Sequence, residues 1–195
     1  MNKLEVKNEN YIDVTEKWLK NAKPNSHKVK KQLFFDYQGV RYYVDGKNVV
    51  LDYSKQELEM ACFLENTFGG EIYMLPRVNI PKGIKTADYL WNGEYWDLKT
   101  LSSSAISETR AIDNIIKSSK RQANNFILNI TKTSIERKLL LRQIVILYFS
   151  SGREWINKIV VVDNYEILKI FSRNKKAVPP PSGVGKASLK DVIHL

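Results

Sequence analysis

The segment Thr86-Ala-Asp-Tyr-Leu-Trp-Asn-Gly-Glu-Tyr-Trp-Asp-Leu-Lys99 constrains this chain more than any other stretch of it. An Asn-Gly pair between two aromatic-rich runs specifies a two-residue type I′ turn, because both central residues must take positive φ. A turn at Asn92-Gly93 fixes the register: Trp91 faces Glu94, Leu90 faces Tyr95, Tyr89 faces Trp96, and Asp88 faces Asp97. Strand alternation then sorts the side chains onto two faces. Ala87, Tyr89, Trp91, Glu94, Trp96 and Leu98 share a mostly apolar face, the expected core side, where the three large aromatics pack rather than stack on a ligand. Thr86, Asp88, Leu90, Tyr95, Asp97 and Lys99 share the other. Directly opposed residues lie about 4.5–5.5 Å apart at Cβ, where like charges repel. Two facing carboxylates therefore destabilise a hairpin unless a divalent cation bridges them. The alternative is a solvated strand face with scattered charge.

The rest of the composition narrows what could sit there. At 195 residues with 43% hydrophobic content, the chain suits one domain with a full core. The polar, charged N-terminus and the lack of a long apolar run predict neither a secretory signal nor a membrane span. A single cysteine, Cys62, permits no internal disulfide and is expected to be a small buried helix residue. With only His27 and His194, both in terminal segments and assigned no role, a Cys/His zinc cluster is excluded. A metal would be held by oxygen ligands, which favours Mg²⁺ or Mn²⁺.

Lysine plus arginine total 31 against 21 acids, a formal net charge of +10. That balance suits a polyanionic partner: nucleic acid, an anionic membrane surface or an acidic protein. The excess is concentrated between Lys117 and Arg142, where Lys117, Lys120, Arg121, Lys132, Arg137, Lys138 and Arg142 meet one acid, Glu136.

Along the chain, Val14 to Ala22 reads as a short helix ended before Pro24. Leu33 to Tyr37, Val40 to Val44 and Val49 to Asp52 read as a small meander or hairpin with a turn at Asp45-Gly46. Ser54-Lys-Gln-Glu57 opens a helix with a capping-box pattern, and Gly69-Gly70 closes it. A strand over 71–75 follows, then the hairpin. Residues 106–124 read as a second helix, 126–130 as a strand, 134–141 as a third helix and 143–149 as a strand, with two more strands at 159–162 and 167–171. These elements predict an α/β fold with a mixed central sheet flanked by helices. The expected division is an N-terminal helix and hairpin extension over 1–52, an α/β core over 53–172 that carries the hairpin, and a loosely ordered basic tail over 173–195.

Glu57 precedes Met60, Ala61 and Leu64 at helical spacing and so rides the apolar stripe of its helix, where a carboxylate is costly unless paired or bound to metal. It is also the residue a capping box needs three positions after Ser54. Both readings stand. Glu59, off the stripe, ranks below it.

The ordered set Glu57, Asp88 and Asp97-Leu-Lys99, followed by a basic helix, resembles the PD-(D/E)XK nuclease superfamily, although Thr86-Ala87 stands where a proline commonly precedes the first aspartate. A closer resemblance runs from about residue 54 to 171. Glu57-Leu-Glu-Met-Ala61, Gly69-Gly-Glu-Ile-Tyr-Met-Leu-Pro76, Lys85-Thr-Ala-Asp-Tyr-Leu90, Tyr95-Trp-Asp-Leu-Lys-Thr100 and Ser118-Ser-Lys-Arg-Gln-Ala123 occur in that order. They look like the C-terminal nuclease domains of contact-dependent growth inhibition toxins and related polymorphic toxins, many of them tRNases.

The resemblance implies a metal-dependent endonuclease with a PD-(D/E)XK core, acting in the cytoplasm of a target cell and neutralised by an immunity protein, which for so basic a chain is expected to be acidic. It implies that Asp88, Asp97 and the Leu98 carbonyl hold Mg²⁺ (or Mn²⁺), with Glu57 completing the shell directly or through water. Lys99 would place positive charge on the reacting phosphate. Lys120 or Gln122, on the following helix, would assist the site; whether Lys99 or Lys120 is the catalytic lysine stays open. Lys117, Lys120, Arg121 and Gln122, with Arg110 as a weaker candidate, would contact nucleic acid, and Tyr95, on the polar strand face, is the stacking candidate. RNA, tRNA in particular, is favoured on the resemblance. A DNase or resolvase with the same core, and a non-catalytic basic binding domain, are the alternatives.

Overall fold

The computed structural model describes residues 10–102 and 110–174. In chain order these form β1 (Tyr11–Asp13), α1 (Thr15–Lys20), β2 (Lys30–Lys31), β3 (Phe34–Tyr37), β4 (Val40–Tyr43), β5 (Val49–Val50), α2 (Lys55–Phe68), β6 (Ile72–Met74), β7 (Arg77–Val78), β8 (Tyr89–Trp91), β9 (Glu94–Ser102), α3 (Ala111–Lys117), β10 (Asn125–Lys132), α4 (Arg137–Phe149), β11 (Lys158–Asp163) and β12 (Glu166–Arg173). The tail from residue 175 and the start of the expected 106–124 helix lie outside the described residues.

The β8–β9 hairpin forms in the register its turn dictates. Asn92 and Gly93 take φ of 49° and 77°, and Tyr89, Leu90 and Trp91 pair with Trp96, Tyr95 and Glu94. Around it an eight-stranded mixed sheet runs β1-β12-β11-β10-β9-β8-β6-β2. The β9-β10-β11 centre is parallel, because α3 follows β9 and α4 follows β10 as crossovers. Those two helices cover one face, where Ile112, Ile116, Leu140, Ile144 and Leu147 pack on Leu101, Phe126, Leu128, Ile159 and Val161. On the other face α2 packs Met60, Ala61, Leu64 and Phe68 against Tyr89, Trp91, Trp96, Ile127 and Val160. The result is the expected α/β architecture: a large mixed sheet between helical layers. Full burial of an aliphatic side chain contributes about 1.5–3 kcal/mol, so these two faces hold most of the stability.

Three expectations are corrected. Residues 143–149 are helical, not a strand: they complete α4, whose buried positions Leu140, Ile144, Leu147 and Tyr148 recur at helical spacing. The run Ile144-Val-Ile146 is rich in β-branched residues, yet only one side of it is covered, and Ile146 is exposed. Cys62 is exposed on α2 rather than buried. Residues 10–52 of the expected extension are tied into the core: β1 pairs with β12, β2 pairs with β6, and Trp18 of α1 sits edge-on to Phe68, Trp91 and Trp96. Within it β3 and β4 form a hairpin, while β5 leaves the expected meander and pairs with β7.

Candidate active site

The site begins where β8 and β9 part. The Asp88 amide donates to the Trp96 carbonyl at 3.1 Å, although Trp96 already lies opposite Tyr89. Two residues thus oppose one, the pattern of a β-bulge, which ends regular pairing and re-aims a side chain. Asp88 Oδ2 takes the place of the missing backbone acceptor and receives the Leu98 amide at 2.7 Å. The regular ladder therefore stops one residue short of the Asp88–Asp97 pair the turn predicts. On the other side the Asp88 carbonyl accepts from the Leu75 amide of the loop after β6. Asp88 is held from both flanks, with its carboxylate in the fork.

That fork opens into a cavity of about 430 Å³ lined by Glu57, Asp88, Asp97, Leu98, Lys99 and Gln122 together with Arg77, Lys85 and Thr86. Asp97 is 1% exposed. Lys99 Nζ lies 2.7 Å from Asp97 Oδ2, an ion pair without the alignment of a hydrogen bond, so this buried carboxylate oxygen has no directed donor. Burial and the neighbouring charge of Asp97 push the Asp88 carboxyl up to about 8; the Leu98 amide opposes this, while a hydrogen bond with Asp97 and the charge of Glu57 add to it. The two acids line one cavity and compete for ionisation, as close carboxylates do in a poorly solvated place.

Glu57 closes the capping box that its spacing from Ser54 predicts and also carries an ion pair. Its side chain accepts from the Ser54 amide, and its own amide donates to Ser54 Oγ at 3.2 Å, closing the capping box. Its other oxygen receives Arg77 Nη2 at 3.1 Å, and it lines the cavity. The cap places this carboxylate at the fork, and Arg77 offsets its charge. Tyr89, whose hydroxyl donates to the Glu57 carbonyl at 2.9 Å, ties the first turn of α2 to β8. Glu59, by contrast, pairs with Lys55 and Tyr165 away from the fork.

The basic helix predicted after the D-X-K segment is shorter than expected. α3 ends at Lys117, and Arg121 takes a left-handed φ of 79°, which a helix does not admit. Lys120 and Arg121 therefore stand on an exposed turn, and Lys120 is not among the cavity residues. Gln122 is: its Nε2 donates to the Thr86 carbonyl at 3.0 Å. Of the two candidates on this segment Gln122, not Lys120, lines the cavity that holds the acids, and Lys99 is the lysine paired with Asp97. Lys117 is exposed at the end of α3. Arg110, the residue preceding α3, lines a separate pocket with Asp113 and Arg153. Tyr95 is 39% exposed and lines a second cleft with Arg121 and Gln122.

Sequence reasoning missed Arg77 and Lys85. Arg77 sits on a two-residue strand behind Pro76, with no local pattern that marks it. Lys85, whose Nζ donates to the Ser118 carbonyl, is three residues before Asp88 and was legible only as a basic residue in the loop entering the hairpin.

Among the described residues no group of three or more His, Cys, Asp or Glu side chains is placed to hold a metal ion. The acids that do converge, Asp88 and Asp97, offer oxygen donors only, one of them buried without a directed partner. The Leu98 amide points to the Asp88 side of β9, and its carbonyl leaves the strand toward the same edge. Two carboxylates and a backbone carbonyl suit a hard cation that retains several waters, which fits Mg²⁺ or Mn²⁺ better than a softer ion.

Residues 85–167 match the family described as the contact-dependent growth inhibition CdiA C-terminal domain. The matched stretch carries Asp88, Asp97, Lys99 and Gln122; Glu57 lies before it. Among solved structures, a chain of the CdiA-CT/CdiI toxin and immunity complex from Burkholderia pseudomallei is similar with a TM-score of 0.42 and 24% identity, over 58% of this chain and 80% of that one. No curated protein matches the sequence. Among the described residues no helix is long and apolar enough to cross a membrane.

Proposed function

We propose that this chain is a toxin-type endonuclease that cleaves phosphodiester bonds with Mg²⁺ or Mn²⁺, with RNA, and tRNA in particular, as its substrate. The observation that carries the reading is the meeting of Asp88 and Asp97 in one cavity beside Lys99, with an Asp97 oxygen buried and undirected. Mutually repelling buried acids are costly for a fold, and a site that binds a cation accounts for them.

Asp88, Asp97 and the Leu98 carbonyl would hold the metal, and Glu57, engaged by Ser54 and Arg77, would act through water. When bound, the ion supplies Lewis-acid polarisation of a phosphoryl oxygen. Lys99 orients Asp97 and presents its ammonium to the negative charge that grows on the phosphate. Gln122, fixed by the Thr86 carbonyl, holds the opposite wall of the cavity and offers an amide oxygen to a substrate proton. Lys85, Lys117, Lys120 and Arg121 supply charge for the flanking backbone, which adds affinity without sequence choice. The family match over residues 85–167 supports a delivered toxin that acts inside a target cell. A net charge of +10 favours an acidic immunity protein as the partner that restrains it. The preference for RNA rests on the sequence segments that resemble tRNase toxins.

The purified chain is incubated with total tRNA and with plasmid DNA, with and without Mg²⁺, beside Asp97→Asn. Expected is Mg²⁺-dependent loss of tRNA that Asp97→Asn abolishes. Cleavage by Asp97→Asn at the parental rate overturns the site, and cleavage of plasmid alone overturns the substrate.

A further inference from the structure

A second cleft of about 350 Å³ adjoins the acidic cavity, and Gln122 lines both. Its walls carry Tyr95, Arg121, Asn124, Asn125 and Asn157. The lining is dominated by amides rather than charges. Asn125, only 4% exposed, donates Nδ2 to the Tyr95 carbonyl at 3.0 Å and accepts at Oδ1 from Asn157 Nδ2 at 3.1 Å. Among the described residues these bonds hold Asn125 and Asn157 and leave the Asn157 side-chain oxygen as an acceptor. The one acid at the rim, Glu94, is matched by Lys158 Nζ at 2.6 Å. Tyr95 rests one side of its ring region on Phe35, with ring centroids 6.0 Å apart, and stays partly exposed.

Side-chain amides pair with the donor and acceptor edges of bases, whereas phosphates are met by cations. A partly exposed phenol beside them offers a stacking surface. Only a base free of its pairing partner can present both an edge and a face. We infer that this cleft is a nucleobase subsite, which seats one unpaired base next to the scissile phosphate, with Tyr95 stacking, the Asn124 and Asn157 amides reading its edge, and buried Asn125 holding Asn157 in position. The inference rests on the nuclease reading and extends it to a substrate class: single-stranded or looped nucleic acid rather than continuous duplex. Arg121, on the same rim, would take the adjoining phosphate.

The test reads binding, not cleavage. Fluorescein-labelled oligoribonucleotides of one base each (A, C, G or U), and an abasic phosphodiester chain of equal length, are titrated by anisotropy into the full chain in a chelator at two salt concentrations. At least one base-bearing strand is expected to bind about tenfold or more tightly than the abasic one. Tyr95→Ala and Asn124→Ala bring that ratio toward one with the salt slope unchanged, and Tyr95→Phe retains it. Arg121→Ala weakens base-bearing and abasic strands alike and lowers the salt slope. Equal binding of base-bearing and abasic strands by the parental protein overturns the inference. So does an unchanged ratio in Tyr95→Ala, or no oligonucleotide binding at all. Failure of the nuclease reading shows elsewhere, in cleavage by Asp97→Asn with metal present, so the two are told apart.

Discussion

Metal and pH should act on the stability of this protein through one carboxyl. Asp88 is pushed from the usual 3.8 to about 8 by burial and by Asp97. In the unfolded chain the same group ionises near its ordinary value of about 4. Because the folded value is the higher one, folding takes up a proton between these limits. Stability is therefore unaffected below about pH 4, falls as the pH rises toward about 8, and levels off above that. A tenfold change in an acidity constant corresponds to about 1.4 kcal/mol, so the ceiling is about 6 kcal/mol. The cavity is open to water, and screening reduces this to about 2–3 kcal/mol. At about 2–4 °C per kcal/mol for a chain of this size, the metal-free protein should melt roughly 5–10 °C lower near pH 9 than near pH 4 on account of this group. Mg²⁺ takes the ionised pair, so it should raise the melting point more near pH 9, where saturation at about one hundred times Kd adds about 2.7 kcal/mol. The assay is thermal melting of the full chain and of Asp88→Asn, each with a chelator or with Mg²⁺. Asp88→Asn should lose both the pH-linked fall and the Mg²⁺ gain. If the variant keeps the parental pH dependence, or Mg²⁺ stabilises both proteins equally at both pH values, the acid pair is not the linked group and the metal assignment fails with it.

Two further outcomes follow from the geometry. Lys99→Gln leaves Asp97, 1% exposed, without its ion-pair partner; breaking a buried pair costs about 3–5 kcal/mol, so chemical denaturation should show a loss of that order, partly recovered by Mg²⁺. Gly69 caps α2 with φ of 71°, and a Cβ there would run into the Lys23 carbonyl oxygen and the Ser26 hydroxyl. Gly69→Ala should cost more than the about 1 kcal/mol of an ordinary left-handed substitution, read as a lower denaturation midpoint without change in the m-value.

Much of the fold could be read from local chemistry, and the exceptions share a cause. The hairpin was legible because Asn92-Gly93 fixes its own turn and register. The same holds for α2, whose Ser54–Glu57 box and Gly69 cap act within one turn of chain. What failed depended on neighbours far along the sequence. The 143–149 run looks like a strand until α4 is seen to lay Ile144 and Leu147 on the sheet while leaving Ile146 bare. α3 ends early, at Lys117, and the chain then turns left-handed at Arg121; no residue there forecasts either. Beyond that turn Gln122, rather than Lys120, lines the acidic cavity. Even the Asp88–Asp97 meeting, predicted from the register, is achieved by a different device: a bulge that substitutes a carboxylate for a backbone acceptor. Arg77 enters from a strand whose partner, β5, is more than twenty-five residues away.

Glu57 is the residue at which structure and chemistry overlap, and one substitution separates them. A capping box accepts glutamine in place of glutamate at its third helical position, so Glu57→Gln preserves the hydrogen bond to the Ser54 amide while removing the charge beside Asp88 and Arg77. Its stability should therefore fall by less than the roughly 1 kcal/mol expected when a cap is lost, whereas Glu57→Ala should show that loss in full. The two variants diverge in what they say about catalysis. If the carboxylate supports the metal through water, Glu57→Gln cleaves as poorly as Glu57→Ala while melting close to the parental protein. Should Glu57→Gln instead cleave at the parental rate, with only Glu57→Ala impaired, then the glutamate serves the helix alone. The cation would then rest on Asp88, Asp97 and the Leu98 carbonyl without it, and Arg77 would be left with no role at the site beyond offsetting a structural charge.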